Sequence, residues 1–188
     1  MEPRIQYAKT SDGVSIAFWT LGEGRPFVHT PQGAVSHIQE EWRDPVQRGW
    51  YEHLAENRML VRYDPRGFGL SAREVGEFSL DAFVLDLEAV VNCLGLEEFV
   101  LYDISMSPVA IAYAAQHVER VSHLIMWSPW LRVSDVPRAE LFPSLRELLD
   151  RDWESYTETW MHLLYGWESA ELAHRQARRM RAAATANT

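Results

Sequence analysis

The chain has 188 residues, 47% apolar and 24% charged. These are the proportions of one ordinary globular domain, and they exclude a disordered, collagen-like or disulfide-stapled chain. Eighteen basic against 27 acidic residues give a net charge of −9, which excludes the broad basic footprint of a nucleic-acid binder and disfavours an anionic membrane surface.

Cys93 is the single cysteine, so no internal disulfide forms and a reducing compartment is expected. No apolar run approaches the ~20 residues of a membrane helix. The first ten residues carry charges without the apolar core of a signal peptide. The expectation is a cytoplasmic protein with no nucleic-acid and no membrane partner.

Residues 4–10 and 14–21 are rich in β-formers and are separated by Asp12-Gly13, the pattern of a hairpin. After a turn at 22–26, residues 26–30 read as a third strand, broken by Pro31-Gln32-Gly33. Trp42, Val46, Trp50 and Leu54 recur every four residues and predict one helix over 42–57. Residues 59–63 form a fourth strand ending in Asp64-Pro65-Arg66-Gly67-Phe68-Gly69. Ser79 reads as an N-cap with Asp81 in the first turn. The helix that follows buries Phe83, Leu87, Val90, Val91 and Leu94, and Gly95 ends it. Residues 99–102 are a fifth strand. Ser107 and Pro108 open a helix running to about Arg120, and 121–127 are a sixth strand. From Met59 onward strands and helices alternate, which predicts a parallel sheet covered on both faces.

After Pro129 only helices are predicted, over 144–165 and 168–184, with a break at Gly166. Trp153, Trp160 and Trp167 lie seven apart. That stripe reads both as a buried helical face and as an aromatic lid over a ligand pocket. Arg175, Arg178, Arg179 and Arg181 read as a solvated helix face. The organisation expected is one domain, a core over 1–130 and a helical lid or tail segment over 131–188.

The stretch Leu101-Tyr102-Asp103-Ile104-Ser105-Met106-Ser107-Pro108 runs a strand into a helix with serine at the junction. A nucleophile elbow has this form: the sharp turn exposes the serine Oγ and aims the next backbone N–H, that of Met106, at an oxyanion. Asp64-x-Arg66-Gly67-x-Gly69-x-Ser71 follows the fourth strand. Tyr113-Ala114-Ala115-Gln116-His117-Val118-Glu119-Arg120-Val121 leads into the sixth, and Pro31-Gln32-Gly33 follows the third. On these residues the chain resembles the α/β-hydrolase family over about residues 4–130. Ile5-Gln6-Tyr7-Ala8, Gly13, Ile16-Ala17 and the run 108–113 are similar to the hydrolase-like domains fused to bacterial cyclases and transcription regulators.

The resemblance implies an α/β fold: a doubly wound, mostly parallel sheet of about six strands, missing the family's last two. It implies a serine hydrolase of a small ester, amide or related acyl substrate. Ser105 would be the nucleophile, with the backbone N–H groups of Met106 and of Gln32 or Gly33 as oxyanion donors. His29 and His37 flank the oxyanion loop as ligand contacts. A serine needs an imidazole base oriented by a carboxylate, and the family carries these after a seventh and an eighth strand. His162 and His174 are the only histidines beyond the sixth strand, and both sit in helical sequence. The expectation is therefore a C-terminally shortened domain, weak or inactive as this chain.

Two departures keep a second reading open. Asp103 stands where the family has a small residue, and the second glycine before Pro108 is absent. Ser105 then reads as a helix N-cap or turn serine, and the chain as a non-catalytic ligand-sensing or regulatory domain. No metal-ligand spacing and no dinucleotide fingerprint occur, so no cofactor is expected. The expected partner is a small molecule. With no seventh strand, residues 123–127 form an unpaired sheet edge, and the chain is expected to self-associate or aggregate through residues 122–127.

Overall fold

The computed structural model describes residues 2–104, 107–135 and 139–186. The predicted hairpin is β1 (Gln6–Lys9) paired antiparallel with β2 (Ser15–Leu21). Four further strands follow: β3 (Arg25–His29), β4 (Arg58–Tyr63), β5 (Phe99–Ile104) and β6 (Val121–Trp127). They make one six-stranded sheet in the order β1-β2-β4-β3-β5-β6. Strand β2 joins β4 antiparallel, and the pairs β3–β4, β3–β5 and β5–β6 are parallel. The result is the α/β, mostly parallel sheet that the alternating pattern predicts.

Because side chains alternate along a strand, each central strand supplies two cores. Val28, Val61 and Leu101 pack with α3 (Leu80–Cys93) and α4 (Ser107–Gln116) on one face. Phe27, Leu60 and Tyr102 pack with α1 (Ile38–Arg43) and α2 (Pro45–Leu54) on the other. The capping signals act as read. Ser79 accepts from the Ala82 N–H at 3.2 Å, and Gly95 follows the last turn of α3 with φ +63°.

The single helix expected over 42–57 is two helices. Pro45 has no N–H and holds the residue before it out of the α region. Asp44 is accordingly extended and caps α2, accepting from the Val46 N–H at 3.0 Å. The break changes the phase of the buried face: Trp42 and Tyr51 are buried, whereas Val46 is 72% exposed. The helix expected over 144–165 is likewise split into α5 (Phe142–Arg151) and α6 (Trp153–Tyr165). Extended Asp152 caps the second, accepting from the Ser155 N–H at 3.0 Å.

Helix α7 (Ala170–Ala183) follows Gly166. It forms a third cluster of Met161, Ala173, Ala177 and Met180 against Val35 of the loop after β3, with Trp153 and Trp160 packed alongside. Trp167 lies beyond the Gly166 break and is exposed, so the seven-residue stripe ends at Trp160. The arginines of α7 are not simply solvated: Arg179 is buried and pairs with Asp44 at 3.0 Å, and Arg181 pairs with Glu158 at 3.0 Å. The C-terminal carbonyls of α7 also reach the core. Gly69 N–H donates to Ala183 O at 2.9 Å, and Arg73 Nη2 donates to Ala182 O at 2.9 Å.

Candidate functional site

Parallel strands deliver their carboxyl ends to one edge of the sheet, where ligands of open α/β folds bind. Three polar anchors shape that edge. The first is Arg62, a fully buried cation on β4. Its Nη2 lies 2.7 Å from Glu41 Oε2 on α1, and Tyr51 donates to the same carboxylate at 2.6 Å. Burial pushes the Glu41 carboxyl up, but the Arg62 guanidinium and the Tyr51 hydroxyl outweigh it and hold its pKa below the ordinary value. Arg62 Nη1 donates to His29 O at 3.0 Å and to Thr30 O at 2.7 Å. It thereby braces the start of the loop after β3.

The second anchor is Asp64, just past β4. Its carboxylate accepts from Ser36 Oγ and Ile38 N at 3.0 Å each and from Leu70 N at 2.8 Å. Burial, reinforced by the Glu41 charge, raises its pKa to about 7. The Asp-x-Arg-Gly-x-Gly-x-Ser segment is thus a structural staple. Arg66 binds Asp86 of α3 and Asp12 of the hairpin turn, and Ser71 Oγ donates to Asp64 O at 2.6 Å. Gly69 is required there: its φ is +52°, and a Cβ would stand 2.0 Å from Asp64 Oδ2.

The third anchor is Asp103, the residue where the family is small. It is fully buried near the end of β5. Its Oδ1 accepts from Thr30 Oγ1 at 2.5 Å, and its Oδ2 accepts from Ser107 Oγ at 2.9 Å. One carboxylate therefore ties the β3 loop to the first residue of α4.

Above these anchors lies a cavity of about 690 Å³. Its floor is the loop Thr30–Val35 with Tyr63, Ile104 and Val109, and its roof is α6, through Trp160, Met161, Leu164 and Tyr165. Trp127, Ser128 and Trp130 line the side beyond β6. The aromatic stripe of α6 is thus both a packed face and a cover.

The candidates from sequence fall out as follows. Gln32 and Gly33 line the cavity. Ser105 and Met106 lie outside the described residues; β5 ends at Ile104 before them and α4 begins at Ser107 after them. His29 is not among the lining residues. It is fully buried behind the loop, between Tyr51 and Tyr102, with Nδ1 2.8 Å from Thr30 O. A carbonyl only accepts, so Nδ1 carries the proton. Burial first, then the Arg62 charge, holds the pKa of this ring well below the ordinary value. His37 caps α1, accepting from the Glu40 N–H at 3.4 Å. His162 stands against the edge of Trp167, and His174 pairs with Glu158 at 2.9 Å. Among the described residues, no imidazole lines the cavity.

Two features escaped the sequence reading. The Glu41–Arg62–Tyr51 cluster had one signal, an arginine inside the apolar run 59–63. Ser128 had none: it is the one non-glycine at positive φ among the described residues, at +53°, and it lines the cavity just past β6.

A family model described as alpha/beta hydrolase fold matches residues 34–178. The AB hydrolase superfamily protein YisY of Bacillus subtilis (strain 168) is 29% identical over 114 residues, 59% of this chain and 40% of that protein. The chain thus spans less than half the length of this curated relative. Among solved structures, a hydrolase from Pseudomonas aeruginosa PA01 superposes with a TM-score of 0.66 at 19% identity, over 95% of this chain and 72% of the other. The enol-lactonase from Burkholderia xenovorans LB400 gives 0.68 at 14% identity, over 94% and 72%. These two show the fold alone. The family match, which runs over most of the chain and agrees with the sheet order and its loops, establishes that the chain belongs to the alpha/beta hydrolase fold family.

Proposed function

We propose that this chain is the nucleophile-bearing part of a serine hydrolase acting on a small ester, amide or related acyl compound. Ser105 is the nucleophile at the elbow, and the backbone N–H groups of Met106 and of Gln32 or Gly33 receive the oxyanion. One observation carries this reading. The cavity is lined by residues on both sides of 105–106 in the chain, Ile104 and Val109, and by the loop that begins at Thr30. A carbonyl held there lies against Ile104 and Val109 and against the loop that begins at Thr30. The enol-lactonase with the same fold acts, by its name, on a related acyl bond.

Residues 131–188 belong to this domain as its lid. An exposed free Cys93 suits a reducing, cytoplasmic setting. Among the described residues no helix is long and apolar enough to cross a membrane.

The isolated chain is expected to bind acyl compounds and turn them over poorly. General acid–base assistance is worth about 10²–10⁴-fold, and the described cavity wall supplies no imidazole. The test is labelling by a fluorophosphonate probe together with p-nitrophenyl ester hydrolysis. Labelling that disappears in Ser105→Ala supports the nucleophile. Labelling that survives it removes Ser105 from the role. A second reading, a non-catalytic ligand-sensing domain, is favoured by Asp103, whose carboxylate occupies the crowded strand end and is clasped by Thr30 and Ser107. Ligand binding without any labelling supports that reading.

A further inference from the structure

The cavity wall carries its own selectivity. None of the described lining residues is Asp, Glu, Lys, Arg or His. The nearest buried charges are already consumed. Arg62 is spent on Glu41 and on the carbonyls of His29 and Thr30, and Asp103 is spent on Thr30 and Ser107. Thr30 has therefore committed its hydroxyl proton. Several lining side chains keep hydrogen-bonding capacity: the Gln32 amide, the Ser128, Tyr63 and Tyr165 hydroxyls and the Trp127 indole N–H make no hydrogen bond to any described residue, and all of them are neutral. The amide both donates and accepts, and so do the hydroxyls. Their natural partner is a neutral carbonyl or ester oxygen. The rest of the lining is aliphatic and aromatic, with Trp160 and Met161 above and Phe83 and Val109 below.

We infer that the cavity is a site for uncharged ligands, a neutral ester, lactone, amide or ketone carrying an apolar body, and that it rejects carboxylates, phosphates and ammonium groups. This rests on the reading of the cavity as the acyl site, and it adds the charge class of what enters. A charged head taken against this lining loses its water and finds no unpaired countercharge among the described lining residues, so it binds weakly or stays outside.

The experiment is a titration of the full chain's tryptophan fluorescence, since Trp127, Trp130 and Trp160 line the cavity. Four probes share one chain length: methyl octanoate, octanoate, octyl phosphate and octylammonium. The ester is expected to saturate with a Kd at least about tenfold below each charged probe, the penalty of an unpaired buried charge. A charged probe that binds as tightly as the ester overturns the inference, and so does an ester that shows no saturable binding.

Leu164→Arg introduces a cation into the lining at a half-exposed position of α6, where folding is not at stake. It is expected to raise the affinity for octanoate relative to the ester by about fivefold or more, by supplying the missing countercharge. No gain for octanoate would show that the probes bind elsewhere, and would overturn the assignment. Failure of the labelling experiment with this selectivity intact removes the nucleophile and leaves the site. Loss of the selectivity with labelling intact does the reverse.

Discussion

Arg62 is a cation in a strand covered on both faces, and its environment makes it intolerant of losing a partner. Removing one member of a buried, hydrogen-bonded ion pair leaves an uncompensated charge and costs about 3–5 kcal/mol. Glu41→Ala is therefore expected to lower the unfolding free energy by about that much, measured by urea denaturation. Glu41→Gln is expected to cost less, since its amide oxygen still accepts.

His29 carries a pH signature beside it. Its folded pKa is depressed below 6.5. The native ring stays neutral where the unfolded ring binds a proton, so its contribution is present above pH 6.5 and is lost as the pH falls. Asp64 and Asp86, raised by burial to about 7 and about 6, carry the opposite sign and lose stability as the pH rises from the carboxylate range. The comparison must be wild type against His29→Phe. Between pH 6.5 and 5 the wild type is expected to lose stability faster, by up to about 1.4 kcal/mol per pH unit, the value for one proton. Parallel pH profiles would mean that the ring takes up its proton in the native state as readily as in the unfolded one.

At the scale of elements, strands were legible and helix ends less so. Strands β4, β5 and β6 lie within two residues of where their apolar runs place them; β4 and β5 are covered on both faces, which favours a mostly apolar run, whereas β6, apolar by sequence, is largely exposed. The two missed breaks share a cause. Asp44-Pro45 and Asp152 each cap a new helix, yet the apolar spacing continues across them, and spacing alone carries no information about a cap. The cavity was half legible. Gln32 and Gly33 are marked by a loop motif, and Trp160 by periodicity. Ser128 is set by a backbone angle, and the carboxylate bridge of Asp103 depends on Thr30, which lies 73 residues earlier.

Strand β6 pairs with β5 on one side and with no described strand on the other. Residues 121–127 include no Asp, Glu, Lys or Arg, and Ile125, Met126 and Trp127 are exposed. An antiparallel match of β6 with a second copy about Leu124 would set Val121 against Trp127 and His123 against Ile125, with no like-charge contact. The net charge of −9 opposes the approach of two copies until salt screens it. Light scattering is expected to show association that grows with concentration and with ionic strength, and Ile125→Lys is expected to abolish it. A wild type that stays monomeric in high salt would show that the edge is protected.

For the whole molecule, Asp44 is one of the residues that join α7 to the core. One of its oxygens caps α2 and the other holds Arg179, with Arg175 3.5 Å away. Asp44→Ala removes an N-cap and strands a buried guanidinium, and is expected to cost about 2–4 kcal/mol. Hydrogen exchange should show the loss first in α7. Equal loss across the sheet would mean that α7 and the core unfold as one unit.

The bonds from Ala183 and Ala182 back to Gly69 and Arg73 also order events in time. The second of these joins residues 109 apart. Translation adds roughly 5–20 residues per second, so a growing chain holds the loop after β4 for seconds before α7 has emerged to close it. Until then the buried Gly69 amide lacks its acceptor. The sheet and its flanking helices can assemble early, but residues 64–73 are sealed only by the return of α7. A nascent chain stalled before Ala183 would leave that loop as the segment open to chaperones and proteases.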